Sequence, residues 1–504
     1  MVDKLGICFL VGAGPGDPGL LTLRGREVLS QAETIVYDHL VNPSLLAWAP
    51  TEADFIYAGK KSGDHTMTQE EINLLLVEKT TAGQRVVRLK GGDPFVFARG
   101  AEECLALSQA GLAFEVVPGV SSAIAGPAYA GMAVTQRSIN SVLTIFSGHH
   151  DPQDEKAGAL YAGLGAAPGT KVMLMGVENL RGIADHMISG GATPTTPVAV
   201  VRWATRGNQE VLRGTVQTIA DLVSARGISA PAVVVFGEVA SPLAELDWAA
   251  WRPLSGRRIV VTRSRLRASK LTEALRNLGA DVSELPLIRH LPPKKLIEFG
   301  ELVQDAHGYE WIVFTSANGV DTFFELFYKL YHDARDIGGT RFAAVGAATA
   351  ARLKENHFQV DLVAENFHAE SLVETFRKEV GVENVKILLV RPEETSGVLA
   401  QGLTSLGAIV DEGIAYRTVP EIDDCTGAGR RLEEEGADLV VFTSASTVRN
   451  FFALKLQLPK RLKFGTIGPA TTKALQEQGA EPSLEAEKHD LDGLIEAITE
   501  YFPR

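Results

Sequence analysis

Gly91-Gly92-Asp93 follows the apolar run Val86-Val87-Arg88-Leu89, and Pro94 then bars a return to regular structure for two residues. Two glycines let a ligand approach the backbone closely, and Asp93 supplies an acceptor at the same spot. For this stretch alone, an ordinary strand-to-helix turn is the plain alternative. It does not stand alone, because Pro15, Asp38, Lys60 and Ser121 also come directly after short apolar runs. Loops beyond the carboxyl ends of parallel strands are where open α/β sheets bind small molecules. The recurrence predicts one such site.

The elements that must position these residues alternate. Ile7 to Val11 reads as a strand, a helix runs from about Leu20 to Ser30, and strands follow at Thr34 to Asp38 and Asp54 to Gly59. Thr68 and Glu71 form a capping box for a helix from Gln69 to about Thr81. The strand Val86 to Leu89 precedes a helix stopped by Gly111, and Phe114 to Val117 leads into Pro118-Gly119-Val120-Ser121-Ser122. Such alternation implies a parallel sheet. The first loop, Gly12 to Gly19, has the look of a dinucleotide-binding turn, but the third glycine of that pattern falls on Asp17. Pro15 and Pro18 also remove amide donors a pyrophosphate would need, which weighs against a nicotinamide oxidoreductase.

After Gly131 the texture changes. Val142 to Phe146, Val172 to Met175, Val198 to Trp203, Val211 to Val216 and Ala232 to Phe236 read as a second, partly antiparallel sheet. Adjacent histidines point apart on a strand, so His149-His150 is expected at a loop surface rather than on a metal, and Met175 alone reads as core. With 504 residues the chain needs several domains. Three scattered cysteines, no basic leader and no long apolar run predict a cytoplasmic chain without a metal site, disulfide framework or membrane span. A net charge of −13 argues against nucleic acid as a partner.

Ser241 to Gly256 breaks the pattern and reads as a linker packed in part on a neighbour, since it carries two tryptophans. Beyond it the chain repeats. Arg258 to Arg263 and Leu278-Gly279-Ala280 return as Lys386 to Arg391 and Leu406-Gly407-Ala408; Phe314-Thr315-Ser316-Ala317-Asn318 returns as Phe442-Thr443-Ser444-Ala445-Ser446. Two copies of one α/β unit imply two similar lobes with a cleft between them. Ser316 and Ser444 offer hydroxyl groups there, and serve equally as helix N-caps. Arg263, Arg265, Arg267 and Lys270 place positive charge at a helix start, against its dipole unless an anion meets it.

The ordered motifs GAGPGDPGLLT, VYDHLV, GKKSGDHTMTQEEIN, LKGGDPFVFARG, PGVSSAIAGPAYAG and KVMLMG resemble the uroporphyrinogen-III C-methyltransferase family over about residues 5 to 240. The resemblance implies a two-lobed tetrapyrrole-methylase fold, usually dimeric, that binds S-adenosylmethionine between its lobes and releases S-adenosylhomocysteine. Carried over by position, Pro15, Gly91, Gly92, Asp93, Val96, Ser121, Ser122, Met175 and Ala204 line the methyl donor's site. Asp38 becomes a proton acceptor, Lys60 a proton donor, and Arg137 a holder of substrate carboxylate. The chain departs from the family at Gln136, where a histidine is common.

FTSANGV, VGAATA, FHAESLVE, AYRT, FTSASTV and IGPATTKAL make the second half similar to uroporphyrinogen-III synthases, from about Leu254 to Phe502. This implies two flavodoxin-like lobes joined by crossing segments. It also implies that Tyr416 assists a leaving hydroxyl, and that Ser316, Asn318, Ser444 and Thr471 contact substrate acetates and propionates. The expectation is therefore a methyltransferase domain at 1–240, a linker at 241–256 and a synthase domain at 257–504. Together they would take hydroxymethylbilane through uroporphyrinogen III to precorrin-2, for sirohaem or cobalamin, as a homodimer through the first half. The alternatives are a bilobed tetrapyrrole-sensing module in place of the synthase, and a methylase acting on another substrate.

Overall fold

A strand as apolar as Ile7–Gly12 (β1) is stable only with both faces covered. The computed structural model describes residues 6–50, 52–59, 67–264, 270–364, 369–395, 397–421, 424 and 427–502. In it β1 joins Thr34–Tyr37 (β2), Asp54–Tyr57 (β3), Arg85–Lys90 (β4) and Ala113–Val117 (β5) in a parallel sheet of order β3-β2-β4-β1-β5. Val87 stands opposite both Phe9 and Ile35, so the carboxyl ends of β1, β2 and β4 open on one edge. The capping box at Thr68 is present, with the Thr68 hydroxyl accepting from the Glu71 amide at 3.2 Å and Glu71 accepting from the Thr68 amide at 2.6 Å. It starts the helix Gln69–Thr81. The expected helix after Gly12 to Gly19 is shorter, Leu23–Leu29, because a 3-10 turn at Pro18–Leu20 comes first.

The second sheet consists of Leu143–Ser147 (β6), Thr170–Leu174 (β7), Pro197–Arg202 (β8), Glu210–Thr215 (β9) and Ala232–Phe236 (β10), in the order β6-β7-β10-β8-β9. Only β6 and β7 run parallel within it. Alternate residues of β8 and β10 feed separate cores. Val198, Val200, Val234 and Phe236 pack with Ile183 and Met187, whereas Ala199, Val201, Val233 and Val235 pack with Ala123 and Met132.

The stretch read as a linker does pack on its neighbour. Trp248 donates its indole N–H to the Ala128 carbonyl at 2.9 Å and meets the Tyr129 ring edge-on at 5.0 Å, while Trp251 stays 73% exposed.

In the duplicated half the strand pairing cuts across the sequence repeat. Its strands are Arg258–Ser264 (β11), Asp281–Leu291 (β12), Trp311–Phe314 (β13), Arg341–Ala344 (β14), Leu362–Val363 (β15), Lys386–Pro392 (β16), Ile409–Pro420 (β17), Leu439–Phe442 (β18), Lys463–Thr466 (β19) and Leu484–Glu485 (β20). One lobe is β12-β11-β18-β19-β20 and the other β15-β14-β13-β16-β17. Each lobe therefore takes two strands from one sequence copy and three from the other, so a lobe is not a copy. The cause is the length of β12 and β17, 11 and 12 residues, whose ends pair antiparallel over Ile288–Leu291 and Arg417–Pro420. Each long strand carries the chain out of the lobe in which it began.

Compactness divides the molecule accordingly, into Met1–Pro286 with Ile422–Arg504, and Leu287–Glu421. The lobe containing β11 and β18 belongs with the amino-terminal sheets rather than with its sequence twin. Among the described residues no helix is long and apolar enough to cross a membrane.

Candidate functional site

The carboxyl ends of the first sheet open into a cavity of about 620 Å³. Pro15, Gly91, Gly92, Asp93, Val96, Ser121, Ser122, Met175 and Ala204 all line it, and Asp38 does too. Residues from six separate sequence stretches thus meet in one place. Arg137 is exposed and is not among the lining residues. Lys60 lies outside the described residues, as do Arg265 and Arg267 and the start of FHAESLVE.

The loops around the cavity are locked by backbone. Gly14 and Gly92 exchange amide-to-carbonyl hydrogen bonds, at 3.2 and 2.8 Å. Asp93 is indeed fixed, because its two oxygens accept from the amides of Phe95 at 2.8 Å and Gly119 at 2.9 Å, stitching the β4 loop to the β5 loop. Only glycine fits at the crossing. A Cβ on Gly119 would lie 2.3 Å from the Gly92 carbonyl oxygen, and Gly92 itself has φ +70°. Asp17, where a dinucleotide turn would have glycine, instead accepts from the Tyr129 hydroxyl at 2.7 Å while its amide donates to Thr205 at 2.9 Å. This ties the first loop to the second sheet. Burial, and then Asp17, push the Tyr129 phenol well above its usual pKa.

Beneath Asp38 lies a buried ionic cluster. Arg88, 2% exposed, donates to Asp38 at 2.6 Å and to Glu103 at 3.0 Å, and Lys90 donates to the same Glu103 oxygen at 2.8 Å. Burial opposes the Arg88 charge, yet the Asp38 and Glu103 carboxylates more than offset it and raise its pKa. Burial, with the Arg88 charge beside it, lowers the Lys90 pKa. The Asp38 carboxylate is therefore held by a permanently charged partner while remaining 29% exposed at the cavity.

Three non-glycine lining residues, Phe97, Met175 and Trp203, have left-handed backbone, with φ of +54°, +55° and +47°. Each such residue costs on the order of 1–3 kcal/mol and persists only where its surroundings over-determine it, typically at functional sites. Sequence reading missed Phe97 and Trp203, because backbone strain leaves no mark on residue type, and Arg206, whose partners Leu40 and Glu435 are far away in sequence. Arg88 left one, a charge inside an apolar strand. Met175 is not core but 49% exposed at the cavity wall. His149 and His150 stand at an exposed loop surface, as expected. They lie beyond β6 on a loop, with ring centroids 3.8 Å apart. Among the described residues no group of three or more His, Cys, Asp or Glu is placed to hold a metal.

In the unit Leu287–Glu421, Ser316, Asn318 and Tyr416 come together. Ser316 caps the helix Ala317–Leu330, accepting from the Gly319 amide at 3.1 Å, and its hydroxyl also meets the Tyr416 hydroxyl at 3.0 Å. One side chain thus serves both the helix cap and the contact with Tyr416. Asn318 donates to His290 Nε2 at 3.0 Å, which leaves Nδ1 to donate to Thr418 at 3.2 Å, and the ring meets Tyr416 edge-on at 4.9 Å. In the other unit Ser444 caps Ala445–Ala453, and Thr471 is buried in the helix Pro469–Glu477.

His290, absent from the sequence reading, carries a pH prediction. Burial lowers its pKa. Below about pH 6.5 the unfolded chain takes up a proton that the folded ring resists, so stability is lost as pH falls through that window and regained as it rises. Urea unfolding of the full chain at about pH 7.5 and 5.5 should show this loss, and His290→Gln should shrink it. An identical pH dependence in the variant would show that His290 is not its source.

Residues 8–220 match the family of tetrapyrrole (corrin/porphyrin) methylases, and residues 269–496 that of uroporphyrinogen-III synthase HemD. The chain is 36% identical to the porphyrin biosynthesis protein HemD of Ruminiclostridium josui, over 98% of each chain. It is 48% identical to the S-adenosyl-L-methionine-dependent uroporphyrinogen III methyltransferase of Methanosarcina barkeri, covering 47% of this chain and 94% of that protein. It is 37% identical to the solved uroporphyrin-III C-methyl transferase from Thermus thermophilus complexed with S-adenyl homocysteine, over 46% of this chain and 98% of that one, with a TM-score of 0.39. Matched along its full length, the chain belongs to the family of the porphyrin biosynthesis protein HemD, with a tetrapyrrole methylase and a uroporphyrinogen-III synthase read from one polypeptide.

Proposed function

We propose that the carboxyl-terminal half closes hydroxymethylbilane to uroporphyrinogen III, inverting the last pyrrole ring and releasing water, and that the amino-terminal half methylates this product twice to precorrin-2. The enzyme is bifunctional, a uroporphyrinogen-III synthase and an S-adenosyl-L-methionine-dependent uroporphyrinogen-III C-methyltransferase in tetrapyrrole biosynthesis. The observation that carries the methyltransferase reading is the meeting of nine donor-site residues with Asp38 around one cavity of about 620 Å³.

That cavity suits a nucleoside sulfonium. It is large enough, it is walled by apolar groups such as Val96, Val201 and Val233, and its glycine crossing lets backbone come close. When bound there, S-adenosyl-L-methionine supplies an electrophilic methyl group. The chain's own residues bind, orient and handle protons. Asp93 keeps the β4 and β5 loops joined around the donor. Asp38, paired with Arg88 at 2.6 Å, accepts the proton the macrocycle loses when a pyrrole carbon gains its methyl. Lys60 is assigned the proton donor's role and Arg137 the holding of substrate carboxylate, both from family position.

In the synthase half Tyr416 assists departure of the bilane hydroxyl, supported by its contact with Ser316. Ser316, Asn318, Ser444 and Thr471 bind acetate and propionate groups, so catalysis rests mainly on holding the chain in shape. The domains are read as 1–240 and 257–504 about the linker 241–256. The partners are small tetrapyrroles and a second copy of the chain through its amino-terminal half, in the cytoplasm; the charge of −13 supports the absence of nucleic acid.

The test gives the purified chain hydroxymethylbilane anaerobically, with and without S-adenosylmethionine, and resolves products by isomer and mass. Isomer III without donor and a doubly methylated product with it are expected. Isomer I alone, matching an enzyme-free control, would remove the synthase assignment in favour of a sensing module.

A further inference from the structure

Arg206 stands two residues past Ala204 on the wall of the donor cavity, with its side chain 3% exposed. Its guanidinium lies over the Trp203 ring, 4.7 Å from the centroid. One arm donates to the carbonyl of Leu40, two residues past Asp38, at 2.9 Å. The other donates to Glu435 at 3.2 Å. Glu435 belongs to the synthase half, at the end of the helix Ala428–Glu435.

The contact is part of a closed circuit. The second Glu435 oxygen accepts from Arg431 at 2.9 Å, and Arg431 donates to Asp281 at 2.6 Å. Asp281 then accepts the amide of Gly207, next in sequence to Arg206, at 3.0 Å. All five residues lie in one compact unit, and Arg431 and Asp281 are each 7% exposed. Two guanidiniums and two carboxylates balance there. Neutralising Glu435 would leave two buried cations sharing Asp281, a costly arrangement in low dielectric. Burial, with Arg431 nearby, already depresses the Arg206 pKa, so this cation depends on its carboxylate partner.

The segment so held is strained. Trp203 and Thr205 have φ of +47° and +69°, conformations that neighbouring structure must impose. The amino-terminal half supplies the Leu40 carbonyl as a neutral partner for Arg206, and the charged partner comes from the synthase half.

We propose that Glu435 of the synthase half is a positioning residue for the methyltransferase, holding through Arg206 both the Trp203–Arg206 wall and the loop after Asp38 in their donor-binding arrangement. Methyl-donor affinity is then a property of the whole chain. The inference rests on reading the cavity as the methyl-donor site.

The experiment measures S-adenosylhomocysteine binding to the full-length chain by calorimetry, alongside both activities. Glu435→Gln is expected to weaken binding and raise the donor KM by the same factor, about tenfold, with kcat at saturating donor within about threefold. Isomer III formation by the same preparation, unchanged within about twofold, reports that the lobe is folded. Glu435→Asp keeps the charge on a shorter stem and should fall between, about threefold weaker than the parent. A purely structural role would lower thermal stability without moving the KM. Parent-like affinity in folded Glu435→Gln overturns the proposal, and if that variant does not fold, parent-like affinity in Glu435→Asp does so. An unsubstituted chain that fails to bind S-adenosylhomocysteine would remove the donor-site reading itself, and this inference with it.

Discussion

Replacing Asp38 by Asn is expected to lower methyl transfer by about 10²- to 10⁴-fold while leaving isomer III formation unchanged. When a fully substituted pyrrole carbon takes a methyl group the ring becomes cationic, and a proton must leave from another atom of the macrocycle to restore neutrality. Asp38 lines the cavity proposed for the methyl donor and keeps part of its carboxylate open, and Arg88 fixes the rest at 2.6 Å. An amide of the same shape preserves the volume but cannot accept that proton. Binding of S-adenosylhomocysteine should stay within about threefold of the parent, because the loss falls on kcat rather than on donor contacts. Single-turnover methylation with preformed uroporphyrinogen III, read by mass, separates the steps. A variant keeping more than about a tenth of the parent rate would assign the proton to another acceptor.

Glu103→Ala should be the most damaging single change for stability in the amino-terminal half. Glu103 is 0% exposed and takes hydrogen bonds from Arg88, Lys90 and Gln69, at 3.0, 2.8 and 3.3 Å. Its removal takes from buried Lys90 its carboxylate partner and leaves buried Arg88 with Asp38 alone, and breaking a buried pair by deleting one partner costs about 3–5 kcal/mol. For a unit of this size that corresponds to a fall in melting temperature on the order of 10 °C. Methyl transfer should fall as well, since Arg88 would lose the partner that orients it towards Asp38. Glu103→Gln, which retains an acceptor of equal size, should lose less of both. Thermal melts of the three proteins settle the matter, and equal melting temperatures would mean that the cluster is hydrated rather than buried.

Most of the element pattern was legible in the chain. The run Ile7 to Val11 and the strand at Val86 to Leu89 are too apolar for any place but the middle of a covered sheet, where they stand as β1 and β4. Thr68 and Glu71 announced their helix three residues apart, and Gly111 ended another with φ +71°. These are short-range effects, set by backbone sterics and by partners within a turn. The grouping of Pro15, Asp38, Asp93 and Ser121 was legible for a related reason. In a parallel sheet every strand points the same way, so residues just past their ends share one edge.

What neighbouring residues in space decide was not legible. Arg88 reads as an intruder in an apolar strand until Glu103, from the following helix, is seen to neutralise it at 3.0 Å. His149 and His150 stand on the loop surface the sequence suggested, but that their ring centroids lie 3.8 Å apart is set by the loop's path beyond β6. The repeat suggested two lobes, and only pairing showed that β11 joins β18 while β13 joins β16, because nothing local specifies which sheet a strand enters. Periodicity and caps thus determined the elements and the edge on which the site opens. Tertiary structure alone decided the charge partners, the strained wall at Trp203 and the exchange of strands, since burial and pairing depend on chain segments that lie from 15 to 229 residues away.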